Sequence, residues 1–286
     1  MKDTFTLLRL PFSYFLMPVY FFGMSQAKEI NVMNAVIIFV VLHLFIFPSS
    51  NAYNSYMDKD EGPIGGLKNP PKPTKQLYYV ANALDLSGLV LSAFVNLPFF
   101  IGTLIYILSS RAYSYKGIRL KKYPVGGFLI VAGVQGGVTF LAVILGLSNH
   151  LYNLSEIISL LPAIVASALL LGGVYPLTQI FQHAEDKKSG DISISLLLGY
   201  RGTFIFSALL FVAANVILFF YFQEVNELMQ FNLLQLFLLP TVIFFLYWAF
   251  SVFKDVKAAS FEKSLIMNII SATCMNACFI TCTILN

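Results

Sequence analysis

The sequence predicts an all-α, polytopic membrane protein, a bundle of about nine transmembrane helices with a cytoplasmic N-terminus, and three observations carry that prediction. Of its 286 residues 58% are hydrophobic and only 11% charged, which excludes an ordinary soluble domain. The apolar residues gather into runs of roughly the ~20 residues needed to cross hydrocarbon. The basic residues are confined to alternate loops. Residues 1–286 read as a single transmembrane domain.

The runs lie at 10–25, 31–50, 78–95, 96–110, 124–147, 156–181, 202–222, 230–253 and 264–285. The first follows basic residues and ends near Ser25-Gln26-Ala27, an outline shared with signal peptides, but its length and its Pro11 and Pro18 favour a retained, kinked span. Only Asn96-Leu97-Pro98 separates the third from the fourth. Together they are too long for one crossing, so a helical pair with a tight turn is predicted. The last run carries Cys274, Cys278 and Cys282 on one face, with no His or acid to complete a metal site. Small residues at a helix contact explain them.

The N-terminus and the loops after the second, fourth, sixth and eighth runs hold every one of the 18 basic residues except Lys28. Cytoplasmic loops collect positive charge, which is why the N-terminus is placed inside. The net charge of +4 is then a one-sided array and implies no nucleic-acid partner. The expected location is an integral, multi-pass position in the inner (plasma) membrane if the source is bacterial, and no protein partner is indicated.

Chemistry enters at the loop after the second run, "NAYNSYMDKDEG", where Asn54, Asp58 and Gly62 stand four apart. "QHAEDKKSG", after the sixth run, repeats the spacing as Gln182, Asp186 and Gly190. Four crossings separate the copies, so both open on the same side. Each has further acids beside it, Asp60 and Glu61 in one and Glu185 in the other. Carboxylates meeting without a cation repel by ~4 kcal/mol per close pair at an effective dielectric of 20. A divalent ion removes that repulsion, and an oxygen-only donor set points to Mg²⁺, held by Asn54, Asp58, Asp60, Glu185 and Asp186. Mg²⁺ leaves positions for water and phosphate, so a phosphorylated substrate is expected. "YSYKGIRLKKYP" places Lys116, Arg119, Lys121 and Lys122 on the same side, suited to neutralise a diphosphate leaving group, although positive-inside anchoring alone explains one or two of them.

These residues resemble the UbiA-type intramembrane prenyltransferases, nine-helix bundles with Asp-rich motifs after helices two and six. The resemblance extends over nearly the whole chain and includes the loop from Tyr113 to Pro124, which is similar to the family's Tyr-Ser-x-x-Pro-x-Arg-x-Lys-Arg stretch. Asn54 and Asp58 match the first and central positions of the family's first motif. Ser55 replaces its second residue, and Gly62 sits where a last Asp is expected. In the second motif Asp186 and Gly190 match, while Gln182 takes the place of the first Asp and Glu185 restores the charge.

The resemblance implies Mg²⁺-dependent transfer of a prenyl group from a prenyl diphosphate to a lipid-soluble, aromatic acceptor. It implies catalysis by Asp58, Asp186, Arg119 and Lys121, and substrate binding by Asn54, Lys116, Lys122, Tyr115, Gln182 and Lys188. The diphosphate lies at the cytoplasmic mouth and the tail runs between helices toward membrane lipid. Tyr53, Tyr56, Tyr113 and Tyr115 are placed to stabilise an allylic cation, although an interfacial belt is the commoner role for each. Asp85, ~12 Å into the third run, is either a functional acid or a hydrogen-bonded structural one. His150 and His183 lack partners at metal spacing. Two alternatives stand beside transfer: a membrane terpene cyclase using the same ionisation, and an inactive member that binds or transports lipid.

Overall fold

The computed structural model describes residues 1–285, and apart from one isolated bridge between Ile64 and Leu67 the regular structure among them is helical. Seven helical rods are long and apolar enough to cross a membrane: α1 Lys2–Gln26, α2 Val32–Asp58, α5 Pro124–Leu147, α6 Leu161–Ser189, α7 Ile194–Glu224, α8 Leu228–Lys254 and α9 Phe261–Leu285. The remaining two of the expected runs form α3 Lys75–Ser92 and α4 Leu97–Ser114. They are helices of 18 residues each, but Lys75, Asn82, Asp85 and Arg111 dilute their hydropathy below that of the other seven. Asn96 separates them and caps α4, its side chain accepting from Phe99 N at 3.0 Å.

Local chemistry sets the irregularities. Pro48 has no N–H to give, and α2 widens into a π turn at Val41–Ile46 just before it. α5 widens at Ile130–Val138, where Thr139 Oγ1 donates to Val134 O at 2.9 Å. In α7, Gly199 (φ 68°, ψ 175°) breaks the helix, so the continuous rod begins near residue 200, close to the predicted 202–222.

Two aromatic cores hold the rods together. Phe22 of α1 stacks on Phe279 of α9 and lies against Phe140 of α5, with both ring-centroid distances 4.6 Å. Phe204 and Phe244 lie against Trp248, whose indole N–H donates to Ala258 O at 2.9 Å, and Phe245 packs on Phe204. α8 is the rim, only 17% buried inside the protein against 56% for α2. Loops alternate between two ends of the bundle. At one end Gln26 donates to Gln230 and accepts from Tyr221, and Asn31 N donates to Leu147 O. At the other, Lys68 meets Glu262 and Ile192 N donates to Lys122 O.

Asp85 proves to be half of a charged strut. It pairs with Arg111 across α3 and α4, while Arg111 also donates to Ser49 Oγ at 3.2 Å and lies 3.8 Å over the Tyr53 ring. Asn82 bonds within its own helix, to Tyr78 O. Breaking one member of such a buried pair leaves an uncompensated charge, so Asp85→Ala is expected to cost about 3–5 kcal/mol. Denaturant unfolding in detergent would check this, and an Asp85→Leu/Arg111→Leu double variant should recover most of the loss.

Candidate functional site

Three chain ends meet at the loop end that carries Lys68 and Lys122. α2 stops at Asp58 because Lys59 takes a left-handed conformation (φ 56°), leaving Asn54 and Asp58 one turn apart on its last stretch. α6 tightens at Ile180–Gln182, continues through His183–Ser189, and ends at left-handed Gly190 (φ 76°). The loop after α4 turns at left-handed Arg119 (φ 47°, ψ 57°) into a single tight turn, Leu120–Lys122. Between them lies a polar cavity of about 190 Å³, lined by Asn54, Asp58, Asp60, Arg119, Lys121, Gln182, Glu185 and Asp186. The two distant motifs therefore do converge.

The cavity is organised by two cations shared between two acids. Arg119 donates bidentately to Asp191, Nε to Oδ1 at 2.9 Å and Nη2 to Oδ2 at 2.7 Å, and its Nη1 reaches Asp58 Oδ1 at 3.4 Å. Lys121 Nζ lies 2.5 Å from Asp58 Oδ2 and 3.6 Å from Asp191 Oδ2. The Asp58 side chain is only 3% exposed, a burial that a lone carboxylate could not sustain. Ser193 Oγ donates to Asp186 Oδ2 at 2.6 Å, fixing the second acid. Burial, and then the neighbouring Asp58 and Glu185, push the Asp60 carboxyl up to about 6, against the pull of Lys121 and Arg9. Burial alone would raise Asp191 too, but Arg119 and Lys121 outweigh it and hold this carboxyl below the usual range. The hydrogen bond to Asp191 in turn raises Arg119.

The two departures from the resembled motifs have visible consequences. A β-carbon at Gly62 would collide with the Glu185 carboxylate, so the missing Asp leaves room that a Glu of the second motif fills. Glu61 N donates to Glu185 Oε1 at 3.4 Å. Gln182 ties the loops together, its Nε2 donating to Pro63 O at 3.0 Å. Among the described residues no three of His, Cys, Asp and Glu close into a group that holds a metal by itself. The oxygen donors face one cavity instead, an arrangement that fits an ion taking one or two carboxylates and completing its shell with water and phosphate.

Tyr115, Lys116, Lys122 and Lys188, the other residues marked for substrate binding, are exposed and are not among the residues lining this cavity. The left-handed turn at Arg119 sends residues 119 and 121 inward and leaves 116 and 122 outside. Of the four tyrosines named for cation stabilisation, Tyr113 alone lines the cavity: Tyr53 lies under Arg111 and Tyr56 packs on Tyr78. His183 is buried against Ser195 Oγ, and His150 meets Glu156.

Sequence reasoning missed Arg9 and Asp191. Arg9 was counted only as a topological charge, yet its position immediately before the apolar run, two residues ahead of Pro11, was a signal. It is left-handed (φ 48°), 7% exposed, and donates to Asn51 O at 3.1 Å and Gly65 O at 3.3 Å. Asp191 directly follows Gly190, but its pairing with Arg119 is invisible without the fold. Arg9, Asn54, Tyr113, Tyr175 and Thr178 also line an inner cavity of about 170 Å³ that continues toward Gln135 and Asn268 and contains no acid. Tyr113 and Tyr175 join their hydroxyls at 2.8 Å on that boundary.

The UbiA prenyltransferase family matches the chain over residues 15–271. Among solved structures, the chain is similar to a UbiA homolog from Archaeoglobus fulgidus bound to DMAPP and Mg²⁺, with 18% identity, a TM-score of 0.75, and coverage of 99% of this chain and 98% of that one. It is also similar to a digeranylgeranylglyceryl phosphate synthase (21% identity, TM-score 0.64, 100% and 99% covered). A UbiA homolog from Aeropyrum pernix K1 matches at 18% identity and a TM-score of 0.66, with 96% and 98% covered. At such identities the likeness is one of fold. No curated protein sequence matches the chain.

Proposed function

Because the chain belongs to the UbiA prenyltransferase family, we propose that it transfers a prenyl group from a prenyl diphosphate to a lipid-soluble acceptor within the membrane, with Mg²⁺ as its cofactor. The observation that supports this reading is the meeting of Asp58 and Asp186 in one polar cavity beside Arg119 and Lys121. Relatives of the same fold bind DMAPP or GPP together with Mg²⁺. The whole chain acts as one nine-crossing unit, and the polar cavity faces the cytoplasm, because the loops at its end carry nearly all the basic residues.

Asn54, Asp58, Asp60, Glu185 and Asp186 would hold the ion. Asn54 is oriented for this, since its amide nitrogen donates to Ser114 Oγ at 3.0 Å and leaves its carbonyl oxygen to the cavity. Bound there, Mg²⁺ supplies the Lewis acidity that weakens the allylic carbon–oxygen bond.

Arg119 and Lys121 exchange part of their pairing with Asp58 and Asp191 for diphosphate oxygens, and so stabilise the charge that builds on the leaving group. The carbon–oxygen bond breaks with its electron pair going to diphosphate, the acceptor's nucleophilic atom bonds the allylic carbon, and the acceptor's proton passes, directly or through water, to the released diphosphate. Tyr113 and Tyr175, at the boundary with the inner cavity, present ring faces to the allylic cation. Tyr115, Lys116, Lys122 and Lys188 stand outside the cavity, so their contact with the substrate comes as it enters.

Purified protein incubated with Mg²⁺ and prenyl diphosphates tests the reading. Diphosphate release that requires an added acceptor supports transfer. Release of a cyclic hydrocarbon with no acceptor would make the chain a cyclase. No turnover with any acceptor, together with tight lipid binding, would leave it a lipid-binding protein.

A further inference from the structure

Outside the polar cavity, unpaired positive charge gathers where the outer face of α8 reaches the end of the bundle that holds the cavity. Ile243, Leu246, Tyr247 and Phe250 recur at helical spacing on α8 and are all exposed, so this face meets lipid rather than protein. Two ammonium groups are laid onto it. Lys254 Nζ lies 4.3 Å from the centroid of the Phe250 ring, and Lys263 Nζ, from the first turn of α9, lies 5.1 Å from that of Tyr247. The two rings stand three residues apart and are neighbours on the helix surface.

The direction of these side chains is informative. A lysine at the end of a span ordinarily extends outward to water. Lys254 instead folds back over a ring one turn earlier, roughly 6 Å inward along the helix, and Lys263 reaches a ring about 10 Å inward of Lys254. Arg201 enters from α7 and donates to Phe253 O at 3.0 Å, and Lys257 follows in the turn after α8. None of these four cations is ion-paired among the described residues. Of the acids beside them, Glu262 pairs with Lys68, and Asp255 Oδ1 accepts from Lys257 N at 3.0 Å. A ring face replaces only part of the hydration an ammonium gives up at such a depth. The complement of this corner is an anion at the level of the membrane interface, where phospholipid phosphates lie.

We propose that this corner binds one anionic phospholipid of the surrounding leaflet. Its phosphate seats between Lys254 and Lys263 over the Phe250 and Tyr247 rings, with Arg201 on the α7 side, and its acyl chains lie along Leu246 and Ile243. Charge complementarity selects the occupant: a zwitterionic lipid brings a cation with its phosphate, and four unpaired cations disfavour it. The site shares no residue with the polar cavity, so it stands whether or not the chain transfers prenyl groups.

Native mass spectrometry and thermal melting in detergent, with dioleoyl phosphatidylglycerol and dioleoyl phosphatidylcholine added in turn, test the proposal. A lysine near an anionic lipid surface is worth roughly a factor of five in affinity, so the wild type should bind one equivalent of phosphatidylglycerol about tenfold or more tighter than phosphatidylcholine, with a matching rise in melting temperature. Lys254→Gln/Lys263→Gln should bring that ratio close to one while melting as wild type in phosphatidylcholine. Lys72→Gln/Lys75→Gln removes the same charge from exposed positions at the same end of the bundle and should keep the wild-type ratio. Equal affinity for the two lipids, or a preference that Lys254→Gln/Lys263→Gln leaves intact, overturns the proposal. So does an equal loss in both double variants, which would assign the preference to the basic end as a whole. Inorganic phosphate that stabilises the wild type as well as phosphatidylglycerol does would make the corner a site for free anions and overturn it too.

Discussion

Asp58→Asn is expected to remove prenyl transfer while leaving the bundle folded. The amide keeps the shape of the carboxylate but not its charge, and this residue is shared by Lys121 at 2.5 Å and Arg119 at 3.4 Å. Losing one preorganised charge at the reacting group typically costs on the order of 10²–10³ in kcat, and that is the loss expected here. The fold should survive because Asp191 still pairs with Arg119 at 2.7 Å and stands 3.6 Å from Lys121. Single-turnover kinetics would measure the first effect and thermal melting the second. Mg²⁺ should raise the melting temperature of the wild type but not of the variant. Near-wild-type turnover would remove Asp58 from the mechanism.

Arg9→Gln should impair both stability and donor binding. Its guanidinium joins α1 to Asn51 O of α2 and to Gly65 O of the following loop, so the variant strands two buried carbonyls at about 1–3 kcal/mol each. It also removes a cation from a cavity wall that holds Asp58 and Asp60. The melting temperature should fall, and KM for the prenyl diphosphate should rise more than kcat falls. Arg9→Lys keeps the charge but not the two-carbonyl grip, so it should recover KM without recovering stability. A variant with lowered melting temperature and unchanged KM would assign Arg9 to the fold alone.

Glu185 and Gly62 illustrate how a motif can be altered without losing its charge. Read in one dimension, each of the two motifs had lost a carboxylate. In three dimensions the space opened by Gly62 is filled by the Glu185 carboxylate, beside Asp60, whose own carboxyl burial and that neighbour raise to about 6. Gln182, no longer an acid, ties its own loop to Pro63.

The sequence by itself determined the helical runs, the alternation of their loops and the family. Hydrocarbon length fixes the size of a span and loop charge fixes its side, and both are local properties of the chain. The tight α3–α4 pair was legible in the same way, from Asn96 and Pro98. The tertiary structure decided which charged groups meet. Asp85 found Arg111 and Arg119 found Asp191, 26 and 72 residues away along the chain, because a buried charge must be compensated by whatever partner packing brings to it. The inward turn of Arg119 and Lys121 and the outward one of Lys116 and Lys122 depended on a left-handed residue that nothing in their spacing announced. Arg9 was hidden for a related reason: a cation at the end of an apolar run reads as an anchor until the fold closes a cavity around it.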